Sequence, residues 1–492
     1  MPERSSGLLL HISSLPSAWG KGDFGMESYK FIDWLERTEQ SLWQILPLTY
    51  PDMTGSPYAS PSANAINPDF VSPDMLRKDG LLNDDEWEYC QWVRDGDVHD
   101  VRQQAFMLAY VNWKNRPDDD EFTVFCNDHS YWLDDTALFM TIREYFPGSW
   151  YDFPEGLRNR DKEAVTQWER EHADDILQFK FEQFILFRQW GRIKSYANEK
   201  NIRIIGDIPV FISTDSADVW SHRKLFKLDE QGVPKVLTGV PPDLFTSTGQ
   251  LWGQPHFDWK AMKSDDYRWW IERVRVGKLH ADILRIDHFR GFCAAYEIPY
   301  GAETAMNGEW VEGPRDDIFH VLHRHIPGLY IIAEDLGVIT PDVTALRKRF
   351  HYPGMKVLQF AFNSDENNTY LPENFDPEDR FVVYTGTHDN NTTRGWYENA
   401  DKNEKEMLRR YIKKDTGIVW ELIKMAFYSN AMWAVIPLQD LLGLGSSARM
   451  NTPGTVMGNW KWQLDEFNLP EERAQELRDL TRESGRDTPL TV

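Results

Sequence analysis

Cysteine is scarce in this sequence. Its 492 residues include three cysteines, Cys90, Cys126 and Cys293, and these lie far apart. Such spacing provides neither the paired cysteines of a disulfide framework nor the close spacing of a zinc site. A reducing compartment, the cytoplasm, is therefore the expected location, and no bound metal is expected.

Positive charge and long apolar runs are also in short supply. Lys and Arg total 54 against 78 Asp and Glu, which is a formal net charge of −24. Such an acidic surface repels phosphate backbones and anionic lipids, so neither nucleic acid nor a membrane is an expected partner. No apolar run reaches membrane-spanning length, and the N-terminus lacks a basic region followed by a signal core. Dinucleotide and triphosphate motifs are missing too, which predicts a protein without a cofactor.

Aromatic residues, by contrast, are abundant. The chain has 21 Trp, 19 Tyr and 27 Phe. Most aromatic side chains belong to a protein core by default. A surplus of Trp in an acidic, hydrophilic chain also suits stacking on neutral sugar rings.

Eight short apolar runs recur along the chain, each followed by a polar or glycine-rich corner. Most are apolar almost without interruption, which is typical of parallel strands covered by helices. Helical patterns lie between several of them, as at 28–38 and at 340–350, where Thr340 is the expected N-cap. Eight strands with helical crossovers predict an α/β fold, a (β/α)₈ TIM barrel. The runs are GLLLHISS (7–14), LWQILPL (42–48), IRIIGDIPVF (202–211), ILRIDHF (283–289), YIIAEDLG (330–337), KVLQFAF (356–362), FVVYTGTHDN (381–390) and MWAVIPLQDLL (432–442).

A barrel needs about 250 residues, so the rest are expected in insertions within one catalytic barrel that spans 1–492. The largest gap, at 49–201, has a largely helical, Trp-rich pattern, and two further gaps cover 212–282 and 290–329. All three follow the C-terminal ends of predicted strands, which form the catalytic face of such barrels. A charged helical segment follows the eighth run, so no C-terminal β-sandwich domain is expected.

The fourth run carries charge where a buried strand should be apolar. Residues two apart share a face of a strand, so Arg285 and Asp287 are expected to point together into the barrel mouth. A neighbouring Arg keeps a carboxylate ionised and lowers its pKa, as a carboxylate nucleophile requires. For this motif alone, a structural Arg–Asp pair at the end of a strand is an equally good interpretation.

The fifth and seventh runs also end in acids. Glu334 and Asp335 are adjacent and should face opposite ways, so one can face the mouth while the other caps the turn. Partial burial would raise the pKa of Glu334 and keep it protonated, as a general acid requires. His388 and Asp389 could bond substrate hydroxyls. Alternatively, these acids only cap loops and start turns.

Taken together, the three strand ends are more informative than any one of them. Asp287, Glu334 and Asp389 follow predicted strands four, five and seven, and such ends converge on one face of a barrel. An ionised carboxylate, a protonated carboxyl and a third polar anchor are what retaining glycoside chemistry uses, with nucleophile and acid about 5–5.5 Å apart.

Long glycine- and proline-rich motifs give the chain a resemblance to a known family. The sequence resembles the 4-α-glucanotransferases, the amylomaltases or disproportionating enzymes of the α-amylase clan, in order along nearly its whole length. The motifs are LLLHISSLPSAWGKGDFG, GSPYASPSANAINP, GDIPVF, PPDLFTSTGQLWGQP, LRIDHFRG, IIAEDLGVITPDV, PGMKVLQFAF, TGTHDNNTTRGW and NTPGTVMGNW.

This resemblance implies an activity and a set of roles. The activity is transfer of α-1,4-glucan segments from a donor malto-oligosaccharide, starch or glycogen chain to the 4-hydroxyl of an acceptor. Asp287 would be the nucleophile, Glu334 the acid/base and Asp389 the stabiliser of the distorted sugar. Arg285, His388 and Asp207 match positions beside the reacting sugar.

Further substrate contacts are expected in the loops. Proline and glycine in the segment 241–255 predict a defined, non-regular loop. Within it, Trp252 and Phe245 are candidates for stacking on glucose rings, although Phe245 could equally plug the insertion onto the barrel. The resemblance adds further candidates to the substrate-binding set: Ser56, Tyr58, Gly253, Asn451 and Pro453.

Three departures from the family pattern stand out. Asn391 replaces a usual acid, Gln463 replaces a frequent Arg, and HISS replaces His-Pro-Thr-Ser. They bear on preferred substrate length rather than on the reaction.

Two other functions compete with the transferase. An α-glucan hydrolase on the same barrel would share all three carboxylates, whereas a catalytically inactive glucan-binding protein could dispense with them. A phosphorylase would need a basic phosphate pocket, and no cluster of Lys and Arg marks one. The oligomeric state and the preferred donor length do not follow from the sequence.

Overall fold

The computed structural model describes residues 4–93, 98–116, 119–242, 247–412, 417–488 and 490. Twelve strands lie within these ranges. They are β1 (Ser5–Leu9), β2 (Leu42–Gln44), β3 (Arg203–Ile208), β4 (Val236–Val240), β5 (Gln250–Pro255), β6 (Ile283–Ile286), β7 (Ala294–Pro299), β8 (Glu309–Glu312), β9 (Ile331–Ala333), β10 (Gly354–Val357), β11 (Phe381–Tyr384) and β12 (Trp433–Pro437).

Eight of the strands form one parallel sheet in the order β10-β11-β12-β1-β2-β3-β6-β9. Its two edges meet, because the N–H of Ala333 at the end of β9 donates to the carbonyl oxygen of Pro353, just before β10, at 2.9 Å. The predicted (β/α)₈ barrel is therefore confirmed. One predicted strand is displaced: β10 starts at Gly354 and ends at Val357, whereas Leu358–Phe362, expected to be extended, form a 3₁₀ turn. The apolar residues of that turn pack into the core, which is why the run reads as a strand.

Successive side chains along each strand point alternately into the barrel and out towards the helices, and this divides the core into two layers. Trp433 and Val435 of β12 lie in the cluster inside the barrel, with Leu42, Ile205 and Ile283 from other strands. The intervening Ala434 and Ile436 belong to the larger cluster between strands and helices. This two-sided burial is the reason why the strands are apolar almost throughout.

Eighteen α-helices lie within the described residues. They are α1 (Met26–Arg37), α2 (Pro73–Lys78), α3 (Asp84–Val93), α4 (Val98–Lys114), α5 (Asp120–Tyr145), α6 (Glu155–Arg158), α7 (Lys162–Glu171), α8 (Ala173–Glu199), α9 (Ala217–Ser221), α10 (Trp259–Ser264), α11 (Arg268–His280), α12 (Asp316–His325), α13 (Pro341–Arg349), α14 (Thr393–Asn399), α15 (Lys402–Leu408), α16 (Ile418–Tyr428), α17 (Leu438–Leu441) and α18 (Glu471–Glu483). Helices α8 and α11 pack against β3, and α16 packs against β12. The division of the chain into one barrel and three insertions stays a prediction. None of the described helices is long and apolar enough to cross a bilayer.

A second, antiparallel sheet of four strands has the order β5-β4-β7-β8. The expectation that 241–255 is non-regular is wrong for its second half, since residues 250–255 form β5. Pairing with β4 supplies the backbone hydrogen bonds that the glycine and proline of this segment do not predict. Phe245 lies outside the described residues.

The close approach of β1 and β2 requires glycine at position 7. A Cβ atom there would lie 2.0 Å from the carbonyl oxygen of Leu42 and 2.4 Å from its Cβ. Both atoms belong to the neighbouring strand and cannot turn aside, so Gly7→Ala is expected to destabilise the protein by about 3 kcal/mol. Thermal unfolding should show a lowered midpoint. Gly191→Ala is the matched control: no atom lies within 4 Å of that added Cβ in α8, and alanine favours a helix by about 1 kcal/mol over glycine. A Gly7→Ala midpoint equal to that of the control would contradict this packing argument.

Candidate active site

Arg285 joins two carboxylates at the mouth of the barrel. It lies on β6 opposite Asp207 of β3. Its guanidinium donates to Oδ2 of Asp207 at 2.6 Å and to Oδ1 of Asp287 at 2.9 Å. The Arg285 side chain is only 3% exposed, whereas that of Asp287 is 30% exposed. Arg285 and Asp207, which we call the clamp, therefore hold Asp287 in place while leaving its carboxylate open to the cleft.

The pKa of Asp287 differs from the sequence-based expectation. Burial raises the pKa of Asp287 above its ordinary value, and the guanidinium of Arg285 opposes this effect without overcoming it. The negative charges of Asp207 and Asp389 act in the same direction as burial. Arg285 does lower the pKa of Asp287, as expected. The prediction that this pKa lies below its ordinary value was wrong, because the strand end is desolvated and surrounded by other acids.

Glu334 follows β9 and lies against the backbone of the Asp287 strand end. One carboxylate oxygen accepts the N–H of His288 at 2.7 Å, and the other accepts the N–H of Leu336 at 3.0 Å. His288 has a left-handed backbone with φ of 49°, an unusual conformation for a residue other than glycine. Burial and the charge of Asp287 raise the pKa of Glu334 to about 8. Because the charge of Asp287 contributes to this rise, Asp287 loses its proton before Glu334 does, and Glu334 is protonated at neutral pH.

Asp335 points away from this pair, as the two-residue period of a strand predicts. Its carboxylate accepts the N–H of Met355 at 2.7 Å and lies 2.9 Å from Nε of Arg347. It therefore joins the end of β9 to β10 and to α13. Asp335 is a structural acid, and Glu334 is the one that faces the mouth.

Asp389 and His388 follow β11 on the other side of the mouth. Asp389 has a 42% exposed side chain whose Oδ1 accepts from Nδ2 of Asn451 at 2.7 Å and lies 3.4 Å from Nε2 of His388. Its carbonyl oxygen accepts from Arg449 at 2.7 Å. Two residues from the segment after β12 thus hold Asp389, whose side chain is more exposed than that of Asp287.

Tyr58 connects the loop after β2 to both sides of the site. Its hydroxyl donates to Oδ2 of Asp207 at 2.8 Å, and its ring stacks on His388 with centroids 5.2 Å apart. Burial and the charge of Asp207 raise the pKa of Tyr58 well above its usual value, so the phenol remains a neutral donor. Trp460 packs against both rings, at 5.7 Å from Tyr58 and 6.0 Å from His388.

Ser56 and Pro453 shape loops at the rim. The Ser56 hydroxyl accepts the N–H of Tyr58 at 3.3 Å. Pro453 is exposed and lies in a tight turn. In this turn the N–H of Thr455 donates to the carbonyl oxygen of Thr452, and Gly454, which follows Pro453, has φ of 79°.

Trp252 and Gly253 lie on β5, the edge strand of the small sheet. The indole of Trp252 meets the ring of His288 edge-on, with centroids 4.7 Å apart. The carbonyl oxygen of Gly253 accepts from Thr214 at 2.9 Å. Trp252 therefore stands next to the strand end that carries Asp287, and its side chain is partly exposed.

The structure brings together residues predicted from distant parts of the sequence. Hydrogen bonds or ring contacts connect Asp207, Arg285, Asp287 and Tyr58 in one network, and Glu334, His388, Asp389, Asn451 and Trp252 adjoin it. The sequence analysis did not predict His288 and Trp460 as residues of the site. His288 lies within the LRIDHFRG motif and Trp460 ends NTPGTVMGNW, so their motifs were the available signals. In the described residues, no group of three or more His, Cys, Asp and Glu side chains is arranged to hold a metal ion.

Comparison with known proteins agrees with this geometry. A family model described as 4-alpha-glucanotransferase matches residues 10–468. This chain belongs to the 4-alpha-glucanotransferase family. The 4-alpha-glucanotransferase of Synechocystis is 42% identical over 99% of both chains, and the chloroplastic/amyloplastic one of Arabidopsis thaliana is 43% identical over 98% of this chain and 86% of its own. The resemblance predicted from the sequence motifs is confirmed.

A solved relative has the same fold over the whole chain. The amylomaltase from Streptococcus agalactiae, in complex with acarbose, superposes with a TM-score of 0.93. It is 34% identical in sequence, and the match covers 98% of this chain and 100% of that one. The fold is therefore shared with that amylomaltase along nearly the whole chain.

The residues that depart from the family pattern make hydrogen bonds in the structure. Gln463 donates to the carbonyl oxygens of Leu15 at 2.8 Å and Gly20 at 2.6 Å, so it anchors the segment after β12 to the loop after β1. Asn391 donates to the Ser446 hydroxyl at 2.9 Å, which a carboxylate at this position could not do. His11 of HISS accepts the N–H of Leu46, and burial lowers its pKa to about 3, so it is neutral.

At neutral pH the carboxyl group of Glu334 should carry a proton. Asp287→Asn is expected to lower the pKa of Glu334 from about 8, because it removes the adjacent negative charge while burial remains. Infrared difference spectra recorded across the neutral range follow the C=O band of the protonated carboxyl, which Glu334→Gln identifies by its loss. Asp376→Asn, a change of an exposed acid, is the control and should leave the midpoint in place. An unchanged midpoint in Asp287→Asn would rule out electrostatic coupling between the two acids.

Proposed function

We propose that this protein is a retaining 4-α-glucanotransferase that moves α-1,4-glucan segments from a donor malto-oligosaccharide, starch or glycogen chain to the 4-hydroxyl of an acceptor glucan or glucose. The observation that carries the proposal is the pair of acids at the barrel mouth. Asp287 is held by Arg285, and Glu334, with its pKa raised to about 8, bonds the backbone next to it. An ionised and a protonated carboxyl side by side suit double displacement. The acarbose complex of the related amylomaltase supports a sugar as the ligand of this cleft.

In the first step, Glu334 donates its proton to the glycosidic oxygen while Asp287 attacks the anomeric carbon. The C–O bond to the leaving chain breaks, and an ester between Asp287 and the donor segment forms with inverted configuration. The two hydrogen bonds that Glu334 accepts from backbone N–H groups position its carboxyl for this transfer. Retaining chemistry requires a separation of about 5–5.5 Å between the two carboxyl groups, and this distance stays a prediction.

In the second step, Glu334, now ionised, takes the proton of the acceptor 4-hydroxyl. The acceptor oxygen attacks the anomeric carbon and releases Asp287, so that the configuration returns to that of the donor. The same residue therefore acts as acid and then as base. Protonated Glu334 and ionised Asp287 are restored for the next cycle.

The remaining polar groups act on the sugar bound at the reaction centre. Asp389, open to the cleft and steadied by Asn451, stabilises the positive charge that develops on the distorted ring. His388 bonds its hydroxyl groups. Asp207, predicted to lie beside the sugar, has a fully buried side chain; it holds Arg285 and is itself held by the hydroxyl of Tyr58. Ser56, Gly253 and Pro453 shape the loops along which the chain lies.

Transfer rather than hydrolysis requires that water be kept from the ester intermediate. Trp252 packs against His288, next to the Asp287 strand end, and Tyr58 packs against Trp460. A sugar ring stacked on Trp252 would cover the intermediate and place an acceptor hydroxyl near it. The acceptor subsites are thus assigned to this part of the mouth.

Pure maltotriose distinguishes the transferase from the hydrolase. The protein is expected to convert it into glucose together with maltopentaose and longer chains, because each transfer breaks one bond and makes another. Total reducing ends should stay nearly constant, and chromatography of the products with a reducing-end assay measures both. Products no longer than maltotriose, with reducing ends rising by one for each bond cut, would establish a hydrolase instead.

Variants of the two acids serve as controls for this experiment. Asp287→Asn should abolish turnover because no ester can form. Glu334→Gln should lose about 10²–10⁴-fold on maltotriose, but far less on α-glucosyl fluoride, whose leaving group needs no proton. Equal losses on both substrates would remove Glu334 from the role of acid.

Trp252→Ala is expected to lower the transfer rate about fivefold, the equivalent of one weakened stacking contact of about 1 kcal/mol. The fraction of bonds lost to hydrolysis should rise, because water gains access to the intermediate. Reducing-end release during the maltotriose reaction measures this fraction. Trp92→Ala changes a tryptophan that is 78% exposed on α3 and should affect neither quantity. A Trp252→Ala protein with the wild-type ratio of transfer to hydrolysis would refute this role.

A further inference from the structure

A small cavity, partly open to solvent, lies beside His388, at the ends of β1, β11 and β12. Its volume is about 10 Å³, and its wall includes Leu9, His388, Gln439 and Met450. His388 is 4% exposed and Gln439 is 6% exposed. One buried water needs roughly 10–15 Å³, so the cavity is at the lower limit of what a single water requires.

Two of the polar side chains on this wall, those of His388 and Gln439, have an atom without a partner. Among the described residues, no group hydrogen-bonds Nδ1 of His388 or Oε1 of Gln439, although both atoms are buried. Buried polar atoms in folded proteins are nearly always bonded to protein or to ordered water. The two unpaired atoms thus point to a shared ligand in the cavity.

The orientation of the Gln439 amide follows from its other contact. Its Nε2 donates to the carbonyl oxygen of Ala448 at 3.3 Å. Turning the amide over would place Oε1 against that carbonyl, and two acceptors repel each other. The atom of Gln439 that remains for the cavity is therefore an acceptor.

The tautomer of His388 follows in the same way. Its Nε2 lies 3.4 Å from Oδ1 of Asp389, and only a protonated Nε2 is attracted to a carboxylate. In the tautomer with hydrogen on Nε2 alone, Nδ1 is an acceptor. Nδ1 of His388 and Oε1 of Gln439 are then both acceptors and cannot bond each other. A water molecule has two hydrogens and can donate one to each.

We propose that Gln439 is a positioning residue that acts through one water in this cavity. The water holds His388 in the tautomer with hydrogen on Nε2, so that its donor faces Asp389 and the reacting sugar. The contact with sugar rests on the proposed function. The tautomer and the water do not, and they can be tested without any substrate.

The test compares the wild type with Gln439→Met, which keeps the side-chain length and removes the acceptor. Long-range proton–nitrogen spectra of protein with ¹⁵N-labelled histidine report the tautomer of His388, whose signal is identified by its loss in His388→Ala. The wild type should show hydrogen on Nε2, and Gln439→Met should show a mixture or the other tautomer. Gln189→Met is the matched control, since Gln189 is equally buried but bonds the backbone of Ser72. An unchanged His388 tautomer in Gln439→Met would overturn the proposal.

Kinetics provide a second readout that a merely structural role would not produce. Gln439→Met should lower kcat/KM on maltotriose about tenfold, as expected when one hydrogen bond is weakened. In the His388→Ala background the same change should cost less than about twofold, because Gln439 acts only through His388. Additive losses would overturn the proposal. If the maltotriose test gives hydrolysis while the tautomer result holds, the proposed function fails and this inference stands.

A crystal structure of the wild type at a resolution that locates water makes the test independent of folding of the variants. One peak within hydrogen-bonding distance of both Nδ1 of His388 and Oε1 of Gln439 would support the proposal. A peak bonded to only one of them, or direct contact between the two side chains, would contradict it.

Discussion

The rest of the site depends on the buried guanidinium of Arg285. A charge almost without solvent contact is costly unless it is paired and hydrogen-bonded, and Arg285 has Asp207 on one side and Asp287 on the other. These contacts tie β3 to β6 at the barrel mouth. Tyr58 bonds Asp207, so the loop after β2 is attached to the same clamp. The position of the candidate nucleophile is thus a consequence of how one cation is neutralised.

The distribution of protons follows from this arrangement of charge. The guanidinium bonds Asp207 and Asp287, but it makes no direct hydrogen bond to Glu334 among the described contacts. A further negative charge in the same desolvated space is unfavourable, and burial together with Asp287 raises the pKa of Glu334 to about 8. Neighbouring acids in different environments give up their protons at different pH, which is how two carboxyl groups take different roles in one reaction.

The walls of the mouth come from parts of the chain that are far apart in sequence. The small antiparallel sheet supplies Trp252, the loop after β2 supplies Tyr58, and the segment after β12 supplies Asn451 and Trp460. Barrel strands alone would leave the carboxylates open to water. Gln463 donates to two carbonyl oxygens of the loop after β1, so the segment that includes Trp460 is attached to the barrel.

The sequence by itself determined the barrel and the three strand-end acids, because both depend on local patterns: unbroken apolar runs signal strands buried on two faces, and an acid just after such a run must lie at the mouth. It also separated Glu334 from Asp335 by the two-residue period. Only the tertiary structure decided the net pKa shift of Asp287, the antiparallel sheet that includes β5, and the places of Trp460 and Gln439. These depend on desolvation and on contacts between distant residues, such as Tyr58 and Asp207, which lie 149 positions apart. No local pattern records which distant groups will surround a side chain once the chain has folded.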